Sequence, residues 1–369
     1  MNQLFRWDQT GLFLLALAAG ILPFAVPEVC AAALREGLTL CSGPLLLSLF
    51  PFLVVSRLLI QCPESDLLAL PFRLAAWGIG IRTPCAARVL CIGFLGGFAP
   101  AASAAAQAVR TGQLTAEEAD ALLPACICSG PSFVVLTVGQ SLLGSAELGV
   151  LLFASQITAN YLTAALLNRF AGVRSVKPES AAPASPAPPR LDEILADAAI
   201  TYCKLCGFIL FFRMLAAGAG ALLPAGAGTL CSILLEVCSG CDLASRTGRW
   251  GSLLCCAALS VQGLSVLLQV RTICSPEMTL RPLYRSRLLH LPLSLALFYL
   301  LLPGGEADVF STLPARVLLM RRVPPDCALL VFAVCCMAAC TLRSGIRQVE
   351  QKQMARNAGG CCINSKTLL

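Results

Sequence analysis

The amino-acid sequence predicts an all-α, polytopic membrane protein with about eight full membrane spans. Hydrophobic residues make up 57% of the 369 residues and charged residues only 13%, whereas a typical soluble domain carries about 25% charged residues. The mean hydropathy is +0.79. Apolar runs of about 20 residues, which cross a ~30 Å hydrocarbon layer as a helix, recur along the chain.

Eight segments are predicted to cross the membrane as complete helices. These spans cover residues 12–34, 44–62, 121–143, 147–168, 195–217, 250–270, 285–302 and 326–342. The first run is long, contains Pro23 and Pro27 and lacks a clear cleavage site of the small-x-small type. We therefore interpret it as a span rather than a cleavable signal peptide. The stretch 66–81, which holds Arg73 and Trp77, is predicted to lie along the membrane interface.

Two further apolar segments are too short or too interrupted to cross the membrane as regular helices. They cover residues 91–109 and 229–240. Non-helical backbone at membrane depth is tolerated only where protein or a water-filled cavity covers it. Both segments are therefore predicted to be re-entrant or broken helices. The predicted hinges are Gly96, Gly97, Pro100 and Gly240.

The sequence predicts one boundary between two helices in detail, at residues 112–118. Gly112 suits the C-terminal cap of one helix. Thr115 and Glu118 have the spacing of a capping box that opens the next. Both are structural signals.

The chain divides into segments around a linker at residues 170–192. This linker is rich in Pro, Ala and Ser and has no hydrophobic period, which is typical of an exposed connection. Lys and Arg concentrate in it and in the C-terminal tail, and cytoplasmic loops collect these residues. We therefore expect the linker and both termini to be cytoplasmic in a cell (inner) membrane. The segments are a first span (1–40), a first repeat (41–169), the linker (170–192), a second repeat (193–302), a last span (303–345) and the tail (346–369).

A weak internal similarity relates the two halves. The stretch Phe52-Leu-Val-Val-Ser-Arg57 parallels Phe208-Ile-Leu-Phe-Phe-Arg213, and a broken segment follows each. In the predicted topology the span with Arg57 runs inward and the span with Arg213 runs outward, so the repeats are inverted. Inverted repeats with broken helices are the architecture of many secondary carriers, whose site lies near the membrane midplane.

Ionisable side chains inside spans are the first candidates for a functional site, because each costs at least ~2.5 kcal/mol on insertion scales. Glu236 lies in the second broken segment without a charged neighbour in sequence. It is predicted to anchor a polar or cationic group or to act as a counter-ion, and an ion pair that only fastens helices is the alternative. Arg57 and Arg213 occupy matched positions in the repeats, where snorkelling to the interface is the alternative to function.

Small and polar residues are further candidates for lining a solute path, with close helix contact or hydrogen bonding between helices as the alternative. These candidates are Ser129, Gly130, Pro131, Gln262, Ser265 and Gln269. His290, the single histidine, lies at the start of a span and is predicted to be interfacial.

Signatures of other function classes are missing from the sequence. It has no HExxH, Walker or nucleophile-elbow motif, and its one histidine leaves little for acid–base chemistry. Among 21 cysteines, the two CxxC pairs lack a second ligand pair at metal-site spacing. The net charge of +7 is not organised as a basic stripe with interleaved aromatics. We therefore expect no enzyme activity, no ATP-driven pump, no cofactor or metal and no nucleic-acid partner.

Several of these residues occur in an order that resembles the nucleoside-recognition, or Gate, domain family, and within it most closely the YlbJ-like sporulation integral membrane proteins. The similarity spans most of residues 40–300. The motifs that carry it are Ser129-Gly130-Pro131 before an apolar run, Leu235-Glu236 with Gly240, Gly263-Leu264-Ser265-Val266 with Gln269-Val270, and the stretches 112–119 and 284–290. The chain departs from the family in having Ile127 and Cys128 where Asn residues usually precede Ser-Gly-Pro, and Phe98-Ala99 within a turn that is usually Gly-Tyr-Pro-like.

The resemblance implies a Gate fold of two inverted repeats, related to the membrane part of concentrative nucleoside carriers. It also implies a transporter or gate for an unidentified small solute, associated with formation of the endospore cortex. The expected partners are the lipid bilayer, that solute and sporulation proteins. A non-transporting membrane scaffold for sporulation is the alternative, in which the linker and tail recruit cortex-building proteins.

Overall fold

The structure, a computed structural model, describes residues 9–61, 65–171 and 191–302. Within these ranges the chain is helical throughout and contains no β-strand, which confirms the all-α prediction for them. The predicted last span, the tail and nearly all of the linker lie outside the described residues.

Up to residue 171 the described chain forms nine α-helices and one π-helix. They are α1 Gln9–Ala25, α2 Pro27–Ser42, α3 Pro44–Gln61, α4 Ser65–Leu68, α5 Leu70–Gly78, α6 Pro84–Gly96, α7 Phe98–Arg110, α8 Ala116–Cys126, the π-helix Ser132–Leu142 and α9 Ala146–Ala171. The predicted capping box opens α8, because Thr115 Oγ1 accepts from the Glu118 N–H at 3.1 Å and Glu118 Oε2 accepts from the Thr115 N–H at 3.2 Å.

Beyond the linker the described chain continues to residue 302. Its helices are α10 Leu191–Leu222, α11 Ala225–Leu235, α12 Val237–Ser245, a 3-10 turn Gly248–Trp250, α13 Gly251–Val261, α14 Gly263–Ile273 and α15 Arg281–Leu301.

Four helical runs in the described part are long and apolar enough to cross a membrane. They are Pro27–Leu47, Ala146–Ala171, Leu191–Leu222 and Gly248–Ile273. Shorter apolar helices, including Pro84–Gly96 and Ala225–Leu235, accompany them. On length and composition these helices mark the chain as a membrane protein, in agreement with the class predicted from composition.

Three of the predicted continuous spans are interrupted in the structure. The first breaks at Val26, because Pro27 disfavours helical backbone at the residue before it. The span 121–143 divides into α8 and the π-helix, and Pro131 lies in the interruption. The span 250–270 divides into α13 and α14 at Gln262, whose φ of 63° no right-handed helix can accommodate.

Alanine-rich packing holds the first broken segment inside the protein. Helix α7 has the sequence FAPAASAAAQAVR, and nine of its 13 residues are buried against neighbouring helices. Because alanine adds only one methyl group, α7 approaches α3, α6 and α8 closely. The interrupted backbone of the α6–α7 pair is thereby covered by protein, as membrane depth requires.

The predicted interfacial stretch forms the short amphipathic helix α5. Ala76 is buried, whereas Leu74 and Trp77 are exposed on the other side. The guanidinium carbon of Arg73 lies 5.8 Å from the centre of the Trp77 ring, a cation–π distance. An apolar exposed face with one basic residue is typical of a helix that lies in the membrane interface.

Candidate functional site

Four helix interruptions lie in the interior of the described chain. Gly97 separates α6 from α7, and residues 127–131 separate α8 from the π-helix. Glu236 separates α11 from α12 with extended backbone (φ −150°, ψ 126°), and Gln262 separates α13 from α14. Each interruption leaves backbone N–H and C=O groups without helical partners, so each is a place where polar groups face the interior.

The first two interruptions touch each other through glycine backbone. Gly97 has φ 80° and ψ −163°, a conformation that is essentially restricted to glycine. A Cβ added at Gly97 would lie 2.6 Å from the backbone nitrogen of Gly130. Only a residue without a side chain fits here, because the two backbones are already in contact.

The other two interruptions meet in the same way. Gly263 has φ 67°, and a Cβ added there would lie 3.0 Å from the backbone nitrogen of Glu236. The neighbouring Gln262 connects this pair of interruptions with the first pair, since its side-chain Nε2 donates to the carbonyl oxygen of Ile127 at 3.2 Å. All four interruptions therefore belong to one contiguous region.

An interior cavity of ≈ 60 Å³ lies in this region, with room for a few water molecules. Leu45 and Leu49 of α3 and Ile209 of α10 close part of its apolar wall. Its lining from the interrupted segments and their helices is Leu95, Gly96, Phe98, Ser129, Gly130, Ser132, Phe133, Glu236, Val237, Cys238, Val266 and Gln269.

Glu236 supplies the carboxylate of the cavity and is only 1% exposed. Its two carboxylate oxygens accept from the backbone N–H groups of Cys238 at 2.9 Å and Ser239 at 2.7 Å. Glu236 is thus the N-cap of α12, where the partial positive charge of the helix N-terminus stabilises an anion. In the described residues no Lys or Arg forms an ion pair with it, so the remaining lone pairs can accept from a ligand.

Gln269 supplies an open hydrogen-bond acceptor. Its Nε2 donates to Ser265 Oγ at 2.9 Å, which fixes the orientation of the amide group. Its Oε1 is buried and has no hydrogen-bond partner. An unsatisfied buried acceptor costs about 1–3 kcal/mol, which a ligand or water that donates a hydrogen bond would recover.

The structure brings some of the predicted site residues to the cavity and not others. Ser129, Gly130, Glu236, Gln269 and the hinge Gly96 line it. Ser265 orients Gln269, and Gln262 joins two interruptions. Pro131 is the N-cap of the π-helix. Gly97 is an interruption itself, and Pro100 lies in the first turn of α7.

The predicted hinge Gly240 lies inside α12, one turn after the actual interruption at Glu236. A Cβ added at Gly240 would be 2.8 Å from the Cα of Ile233. Its role is therefore to let α11 and α12 pack closely as a hairpin.

Arg57 and Arg213 do not reach the cavity. Arg57 forms an ion pair with Asp197 at 2.5 Å, and Arg213 forms one with Glu36 at 2.7 Å. Both pairs connect α10 with a preceding helix, and both carboxylates are about two-thirds exposed. This arrangement agrees with the alternative in which these ion pairs only hold helices together near the protein surface.

A buried polar cluster lies between α9, α13 and α15, and the sequence did not predict that Arg287 and His290 belong to it. His290, predicted to be interfacial, is instead fully buried and its Nε2 lies 3.2 Å from the Gln156 carbonyl oxygen. Gln156 Nε2 donates to Ser260 Oγ at 2.9 Å, and Arg287 donates to Asn160. The available signal was the spacing of Arg287 and His290, which places both on one face of a helix.

The described part of the chain is thus helical and apolar, as in a membrane protein, and its interrupted helices line a small, mostly apolar cavity that holds one buried carboxylate. Comparison with models of protein families, with curated proteins and with solved structures finds no match.

Proposed function

We propose that this protein is a Gate-type membrane protein of two inverted repeats that transports, or gates the passage of, a small polar solute. The observation that carries the proposal is the meeting of four helix interruptions in one region, where three of them border a small cavity. Interrupted helices near the membrane midplane are the means by which many carriers offer backbone groups and helix ends to a solute. The resemblance to YlbJ-like proteins adds the association with endospore cortex formation.

The order of elements supports two repeats. The first would consist of α3, the broken pair α6–α7, the broken pair α8–π-helix and α9. The second would consist of α10, the broken pair α11–α12, the broken pair α13–α14 and α15. Arg57 and Arg213 take corresponding places on the first helix of each set, and each forms an ion pair with a carboxylate. The positive-inside bias would put both termini in the cytoplasm.

The hydrogen-bonding groups of the cavity restrict the class of solute that it can bind. Glu236 and the open Oε1 of Gln269 are hydrogen-bond acceptors in a buried space. Acceptors and a negative charge favour a solute that donates hydrogen bonds and is neutral or cationic, and they disfavour an anion. Gln269 Oε1 would accept a hydrogen bond from a donor group of the solute. Glu236 would balance a positive charge or accept a hydrogen bond from a hydroxyl or amine.

Uptake into proteoliposomes tests the proposal. Purified protein is reconstituted and offered a panel of nucleosides, metal ions and cortex precursors. We expect uptake of one class, and loss of that uptake in Glu236→Gln while the variant still inserts into the membrane. Glu147→Gln is the matched control, because Glu147 is an exposed glutamate in the first turn of α9.

Two outcomes would contradict the proposal. Normal uptake by Glu236→Gln would reduce Glu236 to a helix cap. No uptake of any solute, together with loss of cellular function when residues 172–190 are replaced by a neutral spacer, would favour the scaffold alternative. A carrier should tolerate that spacer, whereas a scaffold that recruits proteins through its linker should not.

A further inference from the structure

Arg287 differs from the other buried arginines of the described chain in its partners. Arg57, Arg88 and Arg213 each form an ion pair with an Asp or Glu. Arg287 on α15 is 8% exposed, and across residues 9–61, 65–171 and 191–302 no carboxylate forms an ion pair with it. A buried charge without a counter-charge is costly, so something else must stabilise the guanidinium.

The partners of Arg287 are neutral oxygens. Its Nη2 donates to Asn160 Oδ1 at 3.1 Å, its Nη1 lies 3.5 Å from the carbonyl oxygen of Ser260, and its Nε donates to Ser286 Oγ at 3.3 Å. Ser260 is the second-last residue of α13, so its carbonyl is among the last four that have no helical N–H partner.

Asn160 extends this contact to a second helix end. Its Nδ2 donates at 3.3 Å to the carbonyl oxygen of Ile127, the residue that directly follows α8. The carboxyl end of a helix carries a partial charge of roughly −0.5. The guanidinium therefore faces the ends of two half-helices, directly at α13 and through one amide group at α8, and these ends replace the missing carboxylate.

In carriers built on broken helices, the carboxyl ends of half-helices together with unwound carbonyls are the groups that coordinate a coupling Na⁺ or proton. We propose that Arg287 is a tethered cation, which permanently fills the position that a free monovalent cation would otherwise take between the ends of α8 and α13. Solute movement should then be independent of Na⁺ and K⁺, and this consequence rests on the proposed function. The occupancy of the position by the Arg287 guanidinium does not rest on it.

Removal of the guanidinium should open a site for a monovalent cation. The oxygens left behind are Asn160 Oδ1 and the Ser260 carbonyl, and Gln262 of the same interruption has a buried Oε1 without a partner. Oxygen ligands of this kind suit Na⁺, K⁺ or Li⁺. A protein that binds a cation only when folded is stabilised in proportion to the occupancy of the site.

Thermal unfolding of the purified full chain in detergent tests this proposal without any knowledge of the solute. Melting is measured in NaCl, KCl, LiCl and choline chloride at one ionic strength. We expect the wild-type Tm to be the same in all four salts. Arg287→Ala and Arg287→Ser vacate the position, and their Tm should rise by about 4 °C in at least one of the small cations relative to choline.

Two control variants separate a cation site from a general salt effect. Arg287→Lys keeps a tethered charge, and Arg287→Met fills the volume with an uncharged side chain, so neither should respond to the identity of the cation. A wild-type Tm that depends on one particular cation would overturn the proposal.

The proposal would also be overturned if the Tm of Arg287→Ala and the Tm of Arg287→Ser were each the same in all four salts. If the vacated variants are unstable, recovery as monodisperse protein only in a small-cation salt supports the proposal, and aggregation in all four salts contradicts it. Failure of every uptake assay would remove the proposed function and leave this result unchanged, so the two proposals are tested separately.

Discussion

The side-chain amide of Gln262 donates to the carbonyl oxygen of Ile127 at 3.2 Å and so joins two helix interruptions that are 135 residues apart in the chain. Gln262 adopts the left-handed conformation in order to do so, which costs roughly 1–2 kcal/mol for a residue with a Cβ. The hydrogen bond to this carbonyl, which also accepts from Asn160 Nδ2, offsets part of this cost. The contact therefore fixes the relative position of the α8–π-helix and α13–α14 interruptions.

A pair of substitutions at Gln262 separates these two contributions. Gln262→Leu keeps the unfavourable backbone conformation and removes the amide, while Ile127 keeps its hydrogen bond from Asn160, so we expect the free energy of unfolding to fall by about 0.5–1.5 kcal/mol. Gln262→Gly removes the amide and the strain together, so its loss should be smaller. Chemical or thermal unfolding of both variants measures the difference. Equal stability of Gln262→Leu and the wild type would mean that the hydrogen bond contributes nothing.

Glu236 is predicted to contribute to stability as the N-cap of α12. Glu236→Ala removes both acceptors for the N–H groups of Cys238 and Ser239, and loss of an N-cap costs about 0.5–2 kcal/mol. Glu236→Gln keeps one amide oxygen that can accept, so its loss of stability should be less than half as large. The Tm of the two variants provides the comparison. If both are destabilised equally, the charge rather than the cap holds the interruption in place.

Gln269 is predicted to be a residue at which stability and function oppose each other. Its Oε1 is a buried acceptor without a partner, so Gln269→Leu removes an unsatisfied group from the cavity wall. We expect the free energy of unfolding to stay the same or to rise slightly, while uptake of the solute identified with the wild type is lost. Parallel measurement of Tm and uptake checks this. Unchanged uptake by a well-folded Gln269→Leu variant would exclude the amide from solute recognition.

Gly97 and Gly112 form a matched pair for testing backbone contact at the cavity. Both have positive φ, 80° and 69°, but a Cβ at Gly97 would meet Gly130 backbone at 2.6 Å whereas one at Gly112 would meet nothing within 4 Å. Gly112→Ala should cost about 1 kcal/mol from the backbone conformation alone. Gly97→Ala should cost at least about 3 kcal/mol, because two backbones must separate. Similar Tm values for the two variants would show that the interruptions are not tightly apposed.

The ion pairs of Arg57 and Arg213 are predicted to contribute to stability and not to uptake. Asp197→Asn and Glu36→Gln remove carboxylates that are about two-thirds exposed, but each leaves an arginine that is only about 10% exposed without its counter-charge, so we expect the free energy of unfolding to fall by about 1–3 kcal/mol. Arg57 also retains hydrogen bonds to Ser103 and Thr201. Uptake and Tm are measured in each single variant. A large loss of uptake at unchanged Tm would instead put these arginines on the solute path.

Features that depend on local residue type were predictable from the sequence. Hydrophobicity alone predicts the membrane class, and the Thr115–Glu118 capping box was confirmed because its hydrogen bonds span three residues. The first broken segment was also predicted at Gly97, because glycine is needed wherever backbone takes a positive φ against another backbone. Ser129, Gly130, Glu236 and Gln269, selected as polar or small residues in apolar surroundings, all line one cavity.

The tertiary structure decided what those residues touch. Gln262 has no local signal for a helix break, since its left-handed conformation is stabilised by a carbonyl 135 residues away. The burial of His290 and the lack of a carboxylate beside Arg287 follow from the packing of α15 against α9 and α13. Hydrophobic periodicity specifies which segments enter the membrane, but the partner of a buried charge depends on which distant helix packs against it.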